Sequence, residues 1–191
     1  MEVIRCIFFL MRSFPCFLIY WSLNADTKLL IQGDINRYGK KDTILSLHEL
    51  LLNNPVFRRL FYVRIITESV IKYRMARWCY RPLDSLEISS TTGLIGRGLM
   101  VMHGYSTIIF CHSMGKNCTV YQNVTIGRGK KINGIDVPII GDNVTIYAGA
   151  IVIGGVHIGD NVKIGAGAVV VKDVPENTTV VGGTIRMIKQ E

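Results

Sequence analysis

A mainly β chain, a parallel solenoid behind a small α-helical N-terminal region, is what this sequence predicts, on three observations. In "PIIGDNVTIYAGAIVIGGVHIGDNVKIGAGAVVVKDV" (138–174), Ile140, Ile146, Val152, Ile158, Ile164 and Val170 recur every sixth residue without a slip. Glycine directly follows Ile140, Ile158 and Ile164, where a chain turning a corner needs backbone angles that most side chains resist. Upstream of Leu86 that texture is absent, and apolar residues recur instead at intervals of three and four, the spacing of one helix face.

The period has a direct physical reading. Each short strand sends one aliphatic side chain inward, and three such strands make a triangular coil of about 18 residues. Coils then stack near the ~4.8 Å spacing of paired strands. The phase extends upstream through Met114, Val120 and Ile126, and again through Ile95 and Val101. Val101 to Met114 is thirteen residues, one more than two periods; Ile126 to Ile140 is fourteen, two more. The second excess coincides with "GRGKKINGIDVP", a basic stretch predicted to loop out of the wall, and loops on a regular scaffold are where function concentrates. The repeat region is expected to run from 87 to 191, including a C-terminal tail.

The first 86 residues are expected to be mostly helical. Thr43 opens a run with Ile44, Leu45, Leu47, Leu50 and Leu51 on one face, ending near Asn53 and Asn54. Pro55 suits the first turn of a second helix, which is read as continuing towards Trp78 before Pro82 closes the region. Residues 22–42 read as mixed and turn-rich. Residues 1–21 hold two apolar runs around Arg12 and Pro15. They are too interrupted for a spanning helix and lack a clear cleavage site. They read as packed within the protein or at a subunit interface, with a membrane-surface anchor and then a cleaved signal as alternatives.

Composition narrows the partners. The 191 residues are 49% hydrophobic with a formal charge of +8, apolar for a soluble monomer. The Lys and Arg residues are scattered, without the aromatic-interleaved basic motifs of nucleic-acid binders. An anionic cofactor, substrate or membrane surface accounts for the charge as well. Five cysteines without CxxC spacing indicate neither a disulfide framework nor a zinc cluster, and suit a reducing cytoplasm. Absence of GxxxxGK[ST] argues against nucleoside-triphosphate chemistry.

Together, "IGRG", "IGDN" twice, "QNVTIG" and "IGAGAVVVKDVP" resemble the left-handed parallel β-helix, or hexapeptide-repeat, acyltransferases. Among these the chain is most similar to short serine-acetyltransferase-like proteins, many of them associated with surface-polysaccharide biosynthesis. The resemblance implies a left-handed coil, acetyl-CoA as donor, no metal, and a homotrimer, with a hexamer as the alternative. It places active sites between neighbouring β-helices. A γ-type carbonic anhydrase shares the fold, but the spacing of His103, His112 and His157 does not match its zinc ligands.

Acyl transfer from a thioester to a hydroxyl needs a base, for which histidine suits neutral pH. Of His48, His103, His112 and His157, the resemblance selects His103, eight residues after Ile95 of "IGRG"; His112 is the reserve. An orienting carboxylate falls at Ile88 by family spacing, and a one-residue insertion makes Glu87 the candidate. Register with the family puts Ala148 and Ala166 beside the pantetheine arm and Lys172 and Arg186 at the nucleotide phosphates. Thr184 stands where a proline is common. Cys111 and Cys118 read as small interior residues rather than acyl carriers.

The acceptor side departs from the serine acetyltransferases. Their aspartate before the catalytic histidine, and their Arg-His pair before the loop-closing proline, correspond here to Met102, Asp136 and Val137. A site built to grip a zwitterion loses its pairing without those charges. The expectation is therefore O-acetylation of a sugar or glycan precursor, with Tyr105, Ser106, Gln122 and Asn123 as acceptor contacts. Serine O-acetylation in cysteine biosynthesis, amino-sugar N-acetylation and a non-catalytic scaffold are the alternatives. Peripheral contact with the inner face of the membrane through the N-terminal segment is the further expectation for partners.

Overall fold

Five helices precede the repeats in the structure, a computed structural model that describes residues 2–183. They are α1 (Glu2–Ser22), α2 (Ala25–Arg37), α3 (Ile44–Asn53), α4 (Pro55–Ile66) and α5 (Val70–Cys79). Side-chain oxygens of Asn24, Thr43, Asn54 and Ser69 accept from the backbone N–H three residues on, the N-cap role that starts a helix cleanly. Two expectations change. Residues 25–37, read as turn-rich, form α2, because Asn24 caps them and Ile31 and Ile35, one turn apart, are buried. The helix opened by Pro55 breaks at Thr67–Ser69, where Ser69 caps a new one.

The first apolar segment is one continuous helix despite Pro15. Proline removes the donor to the carbonyl four residues back. That residue, Met11, is exposed, where water can replace the lost bond. Cys16, Phe17, Leu47, Leu51, Phe61 and Tyr62 form a core among the helices. The buried Ser13 hydroxyl bridges His48 Nδ1 and the Tyr80 hydroxyl, both at 2.7 Å. His48 is thus a satisfied core imidazole.

From Leu86 the chain winds as a parallel β-helix with three faces. The first face stacks β1 (Leu86–Ser90), β3 (Thr107–Cys111), β6 (Thr125–Gly127), β9 (Ile151–Ile153) and β12 (Val169–Val170). The second stacks β4 (Ser113–Met114), β7 (Ile139–Ile140) and β10 (His157–Ile158). The third stacks β2 (Met100–Val101), β5 (Thr119–Val120), β8 (Thr145–Ile146), β11 (Lys163–Ile164) and β13 (Thr179–Val180). Every pairing between these strands is parallel and in register, so Ile109, Ile126, Val152 and Val170 stack along the first face. Val101, Val120, Ile146, Ile164 and Val180 do the same along the third. The interior is a file of Val, Ile, Ala and Met side chains, nearly all without solvent contact.

The basic stretch loops out of the wall as expected, but the residue counts at both irregularities divide differently among the faces. Ile126 and Ile140 belong to adjacent faces, so their fourteen-residue separation is one period plus a long excursion. Residues 128–137 leave the wall, closed at their tip by the antiparallel bridge Ile132↔Ile135. In the first coil the inward residues run Val101, Ile109, Met114, eight residues then five. The single excess residue is therefore two extra at one corner, offset by one fewer at the next.

A solenoid's ends expose unpaired backbone and must be covered. At the N-terminal end Val56 and Leu60 of α4 enter the β-helix core. Beside them lies a buried ion pair, Arg64 Nε to Asp34 Oδ2 at 2.9 Å. Arg64 also donates to the carbonyls of Ile95 and Gly96, while Asp34 Oδ1 accepts from the N–H groups of Gly98 and Leu99. Two side chains thereby satisfy four backbone groups of the first coil. Along the corner from the second face to the third, Asn117, Asn143, Asn161 and Asn177 all have positive φ and pass carboxamide hydrogen bonds from coil to coil. At that corner a Cβ on Gly115 would collide with the Gly141 backbone and the Asp142 carboxylate of the next coil, so only glycine fits.

Candidate active site

Corners from the third face back to the first lie one above another. They comprise residues 102–106, 121–123, 147–149, 165–167 and 181–183. Backbone bonds join them: Met102 N–H to Val120 O at 2.8 Å, Asn123 N–H to Tyr105 O at 3.0 Å, Gly149 N–H to Gln122 O at 3.1 Å and Gly167 N–H to Ala148 O at 3.0 Å. His103, Tyr105, Gln122, Asn123, Ala148 and Ala166 therefore share one edge, in that order along the solenoid axis.

The two extra residues of the first coil fall at the head of this edge, and they set His103 apart. Gly104 N–H bonds Met102 O at 2.8 Å around His103, whose φ is +64°. That is a γ-turn with a left-handed centre, a rare and strained conformation for a residue with a Cβ. The left-handed position in register with Asn123, Gly149 and Gly167 is held by Ser106, φ +49°, so His103 is an additional left-handed residue at this corner. The turn leaves the imidazole exposed.

Below His103, the Gln122 Oε1 is shut off from water with no hydrogen-bond partner among the described residues. A buried acceptor left empty is costly and calls for a donor from a bound molecule. Further along, side chains vanish. The corners read Ala148-Gly149, Ala166-Gly167 and Gly182-Gly183, and Cβ atoms on Gly167 or Gly183 would meet open space. Such a shallow corridor fits a narrow flexible arm pressed close to the backbone. Sequence reasoning missed Tyr121 and Tyr147, whose rings lie 5.2 Å apart on the same edge. Their signal was a tyrosine directly after an inward aliphatic in two coils.

Other predicted residues lie elsewhere. Glu87 is exposed on β1, in register with Ile108; no hydrogen bond or ion pair joins it to His103 among the described residues. Lys172 is exposed between β12 and Val174, on the opposite border of the first face from Ala148 and Ala166. The long loop projects from that same border, bringing Lys130 and Lys131 into the open. Arg128, at the loop's base, lies over the Phe110 ring and 3.5 Å from Asp136. Arg186 and Thr184 lie outside the described residues. His112 Nδ1 contacts Thr91 Oγ1 at 3.0 Å and His157 is exposed. Cys111 and Cys118 are buried, and burial pushes both thiols up to about 12, which keeps them neutral and poor acyl carriers. Among the described residues no three His, Cys, Asp or Glu side chains group to hold a metal ion.

Residues 138–172 match the bacterial transferase hexapeptide family of six repeats. Serine acetyltransferase of Staphylococcus epidermidis is 46% identical over 99 residues, covering 51% of this chain and 46% of that protein; the Staphylococcus aureus protein matches to the same extent. The chain thus spans about half the length of these relatives. Soybean serine acetyltransferase superposes with a TM-score of 0.63 at 26% identity, covering 88% of this chain and 71% of that one. The Neisseria gonorrhoeae serine acetyltransferase in complex with serine does so with 0.59 at 25%, covering 84% and 68%. The repeats of this chain are thus similar to the bacterial hexapeptide transferases, and the chain is similar to serine acetyltransferases over the shared region.

The chain winds as a left-handed β-helix, against the general preference for right-handed crossovers. The positions beside His103 and at the loop base are apolar. Met102 is half-buried before His103, and Val137 is 1% exposed at the base of the loop. Asp136 faces Arg128, so the loop keeps one cation and one anion side by side.

Proposed function

We propose that this protein is an acetyl-CoA-dependent O-acetyltransferase whose site is the edge running from His103 to Ala166. The observation that carries the reading is the stack itself, a strained histidine and an orphaned Gln122 acceptor followed by a side-chain-free corridor. Acetyl-CoA supplies the acetyl group as a thioester when bound. His103 takes the proton of the acceptor hydroxyl as that oxygen attacks, then returns a proton to the departing thiolate. Gln122 accepts a hydrogen bond from the acceptor, and Asn123 and Tyr105 hold its other polar groups. Ala148 and Ala166 leave room for the pantetheine arm. Lys172 and Arg186 bind the nucleotide phosphates, and Glu87 orients the imidazole.

L-serine is the first acceptor reading, because relatives 46% identical carry that activity in their name. Arg128 and Asp136 are suited to its carboxylate and ammonium groups. A sugar hydroxyl is the second reading, favoured by the apolar Met102 and Val137 where the group grips an amino acid by charge. Opposite borders of the first face carry the corridor and Lys172. A homotrimer, in which the corridor border of one subunit faces the basic border of the next, would complete each site; a hexamer is the alternative.

Thiol release from acetyl-CoA, with L-serine and with sugars and nucleotide sugars, tests the reading. Serine-dependent release lost in His103→Ala and in Arg128→Gln establishes the first acceptor. Sugar-dependent release lost in His103→Ala but kept in Arg128→Gln establishes the second. No release with either class of acceptor would overturn the proposal.

A further inference from the structure

A second concavity lies away from the proposed site, at the corner from the second face to the third. It is a cleft of about 520 Å³ between α2 and the first two coils, within the usual range for small-ligand sites. One face of α2 contributes Gln32, Gly33, Asn36 and Arg37, and the corners contribute Arg97 and Asn117. No carboxylate lines it. Asp34, the acidic residue of α2 nearest in sequence, is turned to Arg64 and buried. Arg37 gives one N–H to Thr119 Oγ1 at 2.9 Å, leaving the rest of its donors. The Arg97 guanidinium has no hydrogen-bond or ion-pair partner among the described residues. Two guanidinium groups, neither matched by an acid, thus face a cleft edged with carboxamides.

Gly33 explains how Arg97 is held there. Glycine inside a helix is unfavourable relative to alanine, so its place in α2 needs a reason. A Cβ at Gly33 would stand 2.8 Å from Arg97 Cβ, 3.2 Å from Cγ and 3.3 Å from Cδ. The Arg97 stem therefore lies flat on bare helix backbone, which limits where its guanidinium can go. The helix gives up propensity and gains a positioned cation.

We propose that this cleft binds a small molecule bearing a phosphate dianion. A carboxylate is satisfied by a single guanidinium fork, whereas a phosphate offers three oxygens and two charges, matching two arginines with amide donors beside them. The site is separated from the His103 edge by the third face, and the proposal does not depend on the acetyl-transfer reading.

Isothermal titration of the full chain with inorganic phosphate, a hexose phosphate and adenosine 3′,5′-bisphosphate, with acetate as control, is the test. Saturable binding of at least one phosphate compound is expected, with acetate silent. Arg97→Gln should weaken it at least tenfold. Gly33→Ala should weaken it severalfold with every charge retained, because the new methyl displaces the Arg97 stem while favouring the helix. The strongest binder tells free phosphate from a phosphosugar or nucleotide. Circular dichroism and thermal melting confirm that both variants fold, and Lys172→Gln serves as a control for phosphate held at the basic border instead. No saturable binding, or binding unchanged in both cleft variants, overturns the proposal, as does binding abolished by Lys172→Gln alone.

Discussion

His103 combines two properties that ordinarily oppose each other, a left-handed backbone and a side chain with a Cβ. Strain of about 1–3 kcal/mol at such a residue persists only when surrounding structure enforces it. Replacing it by glycine should relieve that strain while removing the base. His103→Gly is expected to melt at or above the wild-type temperature and to lose about 10²–10⁴-fold in kcat, read by calorimetry and by thiol release. A fall in stability with activity retained would mean the imidazole serves the fold. Gln122 makes a different expectation. Gln122→Leu removes an empty buried acceptor, so the free protein should be no less stable, while KM for the acceptor rises. Glu87 came from family spacing plus one inserted residue, and the structure places it on β1 without a bond to His103.

At the scale of elements, the N-terminal helices act as an end-cap, through Val56 and Leu60 in the β-helix core and one buried ion pair. Removing one partner of a buried pair leaves an uncompensated charge, at a cost of about 3–5 kcal/mol. Arg64→Met should lose stability of that order in urea unfolding, and Asp34→Leu combined with it should recover part. A surface loop contributes little to a solenoid whose coils pair in register on either side. Excising 129–136 restores the six-residue step from Ile126 to Ile140, so the far-ultraviolet spectrum should persist while acetyl transfer is lost. Collapse of the spectrum would show that the loop supports the wall.

Taken whole, the molecule presents an incomplete surface. Ile108, Val169 and Val171 are 41%, 61% and 53% exposed on the outer side of the first face, between the corridor and the basic border. Ile108 and Val169 lie in one outward file with Thr125 and the half-buried Ile151 between them, and an exposed apolar sheet face marks a contact surface. Light scattering is expected to give three times the 21.4 kDa protomer mass, or six times if trimers pair. Val169→Lys should shift the protein to monomer and abolish activity together, whereas a fully active monomer would contradict a shared site. Among the described residues no helix is long and apolar enough to cross a membrane. Contact of α1 with a membrane surface is a separate expectation, tested by sedimentation with anionic vesicles.

The repeat was legible because its cause is local: one inward aliphatic per strand and a left-handed residue per corner, each set by residue type alone. The face of α3 and the start of α4 at Pro55 were legible for the same reason, whereas the break after Ile66 was not. Pro15 and the polar character of 25–37 hid α1 and α2, since burial against other helices outweighed local preference there. The wall-to-loop boundary at 128–137 was half legible. The excess length was countable, but which face Ile140 joins is fixed by pairing with Met114. Candidate residues spread from 103 to 166 could be named along the chain. That they line one edge follows from coil stacking, and the break between that edge and Lys172 follows from the triangular cross-section. The sequence by itself determined the coil, because its period is an energetic demand repeated residue by residue. Only the tertiary structure decided which corners share an edge, because that depends on how many residues each circuit spends between faces.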